Sequence, residues 1–408
     1  MRHPTRRQFL AGTAGLAAAA LLPGRSAGQV IDRPASDKKV AAIVTTYHRY
    51  SHADNIVTRF MEGYSIVGKS FPPPCRVASL YIEQVGDMDI GRPLAKRWGV
   101  PVVNTIADAL TLGGSTLAVD GVLIVAEHGQ YGTNDKGQIL YPRRRFFEEV
   151  VKIFRASKRA VPVFNDKHLS YSWADAQWMY DQSRKLGFPM MAGSSVPVTW
   201  RRPDLRPKPG TPWAGALAVG YGHYEVYGFH TLEALQVMTE QRKGGETGVK
   251  AVQCLEGKEA WDAARAGRWD RTLLDAALAR VPAGGRSKNP VEQDDADATV
   301  YLVEYRDGLH AAAYLSPRHV REFAFAGRVA QQADPLACWY ELPRPQRDHF
   351  SFLVQHIAHM MVTGQPAYPV ERTLLTTGML AFLIDSKFAG HKRLETPELN
   401  IAYHPAAQ

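Results

Sequence analysis

The sequence predicts an α/β protein: a Rossmann-like, doubly wound parallel sheet, then an α+β domain with an open, mostly antiparallel sheet. Three observations lead there. Continuous apolar runs alternate with amphipathic helical stretches through the first half, as expected of strands covered on both faces by helices. The segment Val161–Ser195 reads strand, polar loop, helix, strand, with Asp166-Lys167-His168 in the loop. In the second half, strands follow one another with few helices between them.

Taken in order, Val40–Val44 is the first apolar run, and Ser51-His52-Ala53-Asp54 resembles a helix-capping box. Ile56, Val57, Phe60, Met61 and Tyr64 then share a helical face. Arg76–Ile82 is the next strand, with a helix around Gly91–Trp98. Val102–Asn104 is a short strand, Ile106–Leu110 a short helix and Val119–Ala126 a strong buried strand. Arg145–Ser157 is an amphipathic helix leading into Val161–Phe164. Beyond residue 200, Tyr227–Arg242 is helical and Val249–Leu255 a strand. Ala298–Tyr305 and Leu309–Leu315 join across Arg306-Asp307-Gly308, a hairpin signal. Phe323–Val329 and Cys338–Glu341 are further strands; His349–Val362 and Val370–Lys387 are helices. The insert Ala283–Asp297, rich in Gly, Ser, Asn and acids, reads as a mobile loop.

Residues 1–28 read as a targeting segment. Thr5-Arg6-Arg7-Gln8-Phe9-Leu10 is a twin-arginine signature, followed by the small-residue apolar stretch Ala11–Leu22 and a site near Ser26-Ala27-Gly28. That stretch is short of the roughly 20 residues that span a bilayer. Cleavage, export to the periplasm with the twin-arginine machinery as partner, and no transmembrane helix afterwards are expected. Residues 29–37 are then a linker, 38–200 the first domain, and 201–408 a substrate or oligomerisation domain.

Removing four signal arginines and no acids leaves +5 of the formal +9 charge. The remaining cations are scattered among acids, which excludes a concentrated nucleic-acid-binding face. Three cysteines without CxxC spacing (Cys75, Cys254, Cys338) exclude zinc-thiolate and dithiol redox motifs and read as buried small hydrophobes.

A lysine at a strand's carboxyl end, between an acid and a histidine, can bind a polar substrate or move protons; a surface ion pair is the alternative. His48, His52, His128 and His168 all follow predicted strands of the first sheet. With Glu127, Asp166 and Tyr47 they can make a polar pocket, a cationic anion site or a metal centre. His356 and His359 share a helical face among apolar residues and read as core or interface. The acidic run Glu292, Asp294, Asp295, Asp297 lacks calcium-loop spacing and reads as solvated.

Four ordered landmarks give a resemblance to the glucose-fructose oxidoreductase / inositol dehydrogenase / MocA family. VDGVLIVA ends near His128. VPVFNDKHLSYSWADAQWM is similar to the family's strand, Glu-Lys-Pro loop and helix. YGFHTLEALQVM before VKAVQCL resembles its Gly-x-His helix and the strand that follows, and ERTLLTTGMLAFLIDSKFAG its closing helix. The resemblance implies a Rossmann domain plus a substrate domain, and an oxidoreductase, or redox-assisted lyase or glycosidase, acting on a sugar or polyol with NAD or NADP. It also implies catalysis by Lys167 and His230, with Asp166 and His168 around them. Cofactor contacts would come from Thr45, Thr46, His48, Arg49, Glu127 and His128, and substrate contacts from Tyr227, His223 and Trp173, the last as a stacking platform.

The departures support a different reading, a sugar-like ligand-binding or metal-binding protein without redox chemistry. The turn Thr45–Ser51 has no glycine, although backbone must come close to a pyrophosphate there. Tyr47 and Tyr50 stand in it, and their rings are expected to block the usual dinucleotide pose. Val226 replaces a family carboxylate four residues before His230, with Glu225 adjacent.

Overall fold

The computed structural model describes residues 35–345 and 347–405. The signal segment therefore lies outside the described residues. Six parallel strands form the first sheet: β1 (Lys39–Val44), β4 (Arg76–Ile82), β5 (Val102–Val103), β6 (Gly121–Val125), β7 (Val163–Asp166) and β8 (Met190–Gly193), in the order β5-β4-β1-β6-β7-β8. A small hairpin, β2 (Tyr64–Ile66) and β3 (Lys69–Phe71), is inserted between β1 and β4. The helices are α1 (His52–Glu62), α2 (Gly91–Arg97), α3 (Ile106–Thr111), α4 (Arg143–Ala156) and α5 (Trp173–Leu186). Strand order reverses between β1 and β6, so the carboxyl ends of these strands open a crevice at the switch point. Residues Val40–Val44 and Val122–Val125 are fully buried, which is why they read as unbroken apolar runs. Ser51 caps α1 by accepting from the Asp54 amide, as its sequence predicts.

Eight strands form the second sheet: β9 (Trp200–Arg202), β10 (Trp213–Tyr221), β11 (Val249–Glu256), β12 (Thr299–Tyr305), β13 (His310–Ser316), β14 (Phe323–Val329), β15 (Leu336–Glu341) and β16 (Leu394–Glu395). Their order is β16-β11-β12-β13-β10-β14-β15-β9, and only β10 and β13 pair in parallel. Helices α6 (Val226–Thr239), α7 (Gly257–Arg265), α8 (Arg271–Arg280), α9 (Val291–Asp294), α10 (Asp348–Thr363) and α11 (Val370–Phe388) complete the chain. Strand β10 and helices α7 and α8 are not anticipated by the sequence reading. Trp261, Trp269, Leu273 and Leu274 of the α7–α8 segment cover one sheet face, while α6 and α11 pack on the other.

Two expectations need correction. The acidic insert is not a solvated loop throughout: Asp295 is fully buried and accepts from the Tyr314 and Ser316 hydroxyls and the Arg318 and His319 amides. Four donors compensate for its desolvation and fix the segment. Helix α10, placed in the second domain by its position in the chain, packs instead on the first sheet. Phe350, Leu353, Val354 and Ile357 join Val40, Val44, Ile56 and Phe60 in one core. We propose a boundary near residue 200 for the sheets, with α10 returning to complete the first core. Helix α11 bridges both layers, packing on α5 and β8 and also on α6 and β11. The three cysteines are free and buried. Among the described residues no helix is long and apolar enough to cross a membrane.

Candidate functional site

Strand β7 ends in the buried pair Asn165 and Asp166, and the chain then turns at Lys167 with φ +64°. Such a φ disfavours a residue with a Cβ, so the surroundings must impose it. They do so through reciprocal backbone hydrogen bonds between Lys167 and Gly193, at 3.0 and 3.1 Å. The Asn165 carboxamide adds bonds to the Asp166 and His168 carbonyls. Gly193 is required there: its φ is +119°, and a Cβ would lie 2.7 Å from Glu233 Oε1 on α6.

The turn buries Lys167 to 4 % exposure, with its ammonium 3.1 Å from Glu127 Oε1. The other Glu127 oxygen accepts from Arg143, which also donates to His168 Nε2 at 3.3 Å. Burial alone would raise the Glu127 carboxyl; Lys167 and Arg143 together outweigh it and hold the group far below the usual carboxylate range. Burial, then Arg143, keeps His168 neutral. Asp166 Oδ2 lies 2.7 Å from His52 Nδ1, and the His128 ring stands 5.5 Å from His52 and 5.3 Å from His48. Burial and the neighbouring His52 lower His128 to about 4.

Helix α6 brings the second domain to this cluster. Phe229 packs on the His168 ring at 5.3 Å and neighbours His230. His230 is lowered well below its ordinary value by burial first, then by Lys167 and His52. Glu225 is buried and accepts from the Ile139 amide at 3.1 Å. Burial pushes its carboxyl up to about 7, against the pull of that amide and of Arg143. The arrangement thus holds a buried ammonium, a neutral imidazole and a carboxyl able to exchange a proton near neutral pH. Arg143 and Glu225 were not among the candidates read from sequence.

Other candidates lie apart from the lysine. Thr45 is buried and donates to the Glu127 carbonyl, Arg49 is exposed beside Tyr50, and His48 sits in the switch-point crevice with Thr46. Tyr227 packs on Tyr221, and His223 stacks on Tyr224 at 4.1 Å. Trp173 packs against Gly378 and Phe382 of α11, so its ring contributes to the core instead of offering a sugar platform. Among the described residues no three His, Cys, Asp or Glu side chains gather as a metal ion requires. His52 and His168 are already engaged by Asp166 and Arg143.

Structural comparison finds proteins covering nearly the whole described chain. GenD2 from gentamicin A biosynthesis, in complex with NAD, is 13 % identical over 90 % of this chain and 99 % of its own, with TM-score 0.53. Scyllo-inositol dehydrogenase from Lactobacillus casei, with NAD(H) and scyllo-inositol bound, is 11 % identical over 88 % and 99 %, with TM-score 0.54. Myo-inositol 2-dehydrogenase from Lactobacillus plantarum is 12 % identical over 88 % and 99 %, with TM-score 0.53. This chain has the inositol dehydrogenase fold. The resemblance read from the sequence is thereby supported at the level of architecture. No curated protein matches the chain in sequence. The family of twin-arginine translocation pathway signal sequences matches residues 3–23, so the chain carries a twin-arginine export signal. Replacing Arg6 and Arg7 by lysine is expected to retain the protein in the cytoplasm; cell fractionation showing normal export would contradict this.

In this inositol dehydrogenase fold the switch-point crevice is the place for a dinucleotide, and the residues present fit one poorly. The reason differs from the expected one. The Tyr47 ring does not fill the turn: it is buried in the core, its hydroxyl 2.8 Å from that of Thr58. The Tyr50 ring lies outward between Arg49 and Arg347. Asp54 is the obstacle. Its carboxylate accepts from the Tyr50 amide at 2.7 Å and from Thr58, placing an internal anion beside the α1 N-terminus, where a pyrophosphate would seek donors. Glu83, which follows β4 where an acid would meet ribose hydroxyls, is held by Tyr131 and Arg145. Replacing Tyr47 by glycine is therefore expected to empty a core site at a cost of about 3–5 kcal/mol, without restoring a dinucleotide site. A urea melt checks the first part and a nicotinamide titration the second.

Proposed function

We propose that the mature chain is an exported enzyme acting on a sugar or polyol, with Lys167 holding or moving the proton of a substrate hydroxyl. The observation behind this reading is the position of Lys167: buried on strained backbone at the sheet's carboxyl edge, paired with Glu127 and faced by α6. A fold seeking stability alone gains little from such a cluster, because desolvating the charges offsets much of their attraction. His230, neutral at neutral pH, can accept or donate a hydrogen bond to the same hydroxyl. Glu225 can take up or return a proton near pH 7. Asp166 and Arg143 position His52 and His168. The sugar-like substrate class rests on analogy with the structural neighbours.

A second reading, oxidation of that hydroxyl with NAD or NADP as hydride acceptor, is favoured by neighbours solved with NAD and NAD(H) and opposed by Asp54 in the turn. Incubating the purified protein with sugars and polyols, with and without nicotinamide, separates them: sugar conversion without nicotinamide turnover favours the first. Lys167→Met is expected to lower turnover about a thousandfold with unchanged near-ultraviolet circular dichroism. Unimpaired turnover would overturn the assignment. Glu225→Gln is expected to remove an inflection near pH 7 from the rate profile.

A further inference from the structure

We infer that the switch-point crevice is a subsite for an uncharged, hydroxyl-rich extension of the substrate, so that the ligand is an oligosaccharide reaching from Lys167 into the space a dinucleotide would fill. This rests on the sugar-acting reading above and extends it to substrate size.

The crevice encloses about 730 Å³ at the carboxyl ends of β1, β4 and β6, within the roughly 300–1,000 Å³ typical of small-molecule sites. Its lining supplies the Thr46 hydroxyl, the His48 imidazole, the carboxamides of Gln84 and Gln130, and the Asp87 carboxylate, but no lysine or arginine. Pyrophosphate favours cations there, and the lining has none. Sugar hydroxyls both donate and accept, which suits carboxamides, imidazole and carboxylate. Val85 and Met88, 42 % and 76 % exposed, add apolar surface for the C–H faces of a ring. Gln84 binds the Gln130 carbonyl and amide at 3.1 and 2.8 Å, so the two loops are already fixed to one another.

A line of side chains also joins the crevice to the lysine. His48 lines the crevice, His128 contacts both His48 and His52, and His52 is bonded to Asp166 beside Lys167. Along this wall, Thr46 Oγ1 and His128 Nε2 are buried without a hydrogen-bond partner among the described residues. Polar atoms left so are costly, and ligand hydroxyls would satisfy them.

The test measures binding by calorimetry on the whole mature protein, using neutral sugars of one to four units (glucose with its β-1,4 and α-1,4 oligomers, mannose and xylose with theirs) and NADH. At least one series is expected to gain tenfold or more in affinity from monomer to dimer or trimer. Asp87→Ala combined with Gln130→Ala, both exposed residues, should abolish that gain and leave monosaccharide affinity unchanged. Affinity independent of length, a gain that survives the double variant, or micromolar NADH binding weakened by it would each overturn the inference while leaving the sugar-acting reading intact. Failure of every sugar to bind would overturn both.

Discussion

Replacing Glu127 by alanine is expected to destabilise the protein by about 3–5 kcal/mol, more than the loss of any other single charge in the cluster. Lys167 and Arg143 are both buried, and each makes an ion pair with this one carboxylate. Without it, two ammonium-type charges face each other in a site with little water. Glu127→Gln preserves shape and loses the charge, so it should cost nearly as much. Lys167→Met removes a cation and should partly rescue the Glu127 variants, giving a double mutant less destabilised than the sum of its parts. Urea denaturation of the four proteins measures this. A Glu127→Ala cost below about 1 kcal/mol would mean that water, not protein, solvates the pair.

Much of this cluster was legible in the sequence, and the part that was not has a physical reason. Strands β1, β6 and β7 announce themselves because both faces are covered, and a strand's carboxyl end fixes where Asp166, Lys167 and Glu127 must lie. Side-chain direction in a loop has no period to read. Tyr47 turns into the core where its ring was expected to occupy the turn, and Glu225 turns inward with nothing in its neighbours to say so. Strand β10 is rich in Ala and Gly, and therefore lacks the β-branched signature of its partners. Arg143 did leave a signal. Three arginines at the start of α4 oppose the helix dipole, a local conflict that neighbouring carboxylates must resolve. Arg143 and Arg145 find theirs in Glu127 and Glu83, and Arg144 pairs within the helix with Glu148. Such a conflict in a sequence marks residues worth treating as site candidates.

Acid should unfold this protein well above the pH at which carboxylates protonate. His128 and His349 are lowered to about 4 and about 3, His168 and His230 lie well below their ordinary value, and His356 is lowered as well, burial being the first cause in each. An unfolded chain takes up these protons near pH 6.5, while the folded chain refuses them until far lower. Between those limits the unfolded state binds more protons, so stability is full above about 6.5 and falls as pH drops towards 4. Each group contributes up to about 1.4 kcal/mol per pH unit. Glu225 and Glu233 act in the opposite sense: burial raises both to about 7, so they retain protons that the unfolded chain releases above its ordinary carboxyl pKa, and their share of stability declines as pH rises to 7. These five imidazoles outnumber the two carboxyls, and His223, lowered, and Glu322, raised, oppose one another, so the imidazoles dominate, with a net slope of at most about 4 kcal/mol per unit between pH 5 and 6.5. Urea midpoints measured across pH 5–8 should therefore fall steeply below 6.5 and stay nearly level above 7. His349→Gln should make the acid limb shallower by about one group's share, because that ring lies outside the lysine cluster, near Arg59 and Arg347. Midpoints that stay level from pH 7 to 5 would show that the buried rings reach water, and with them the wall joining the crevice to Lys167.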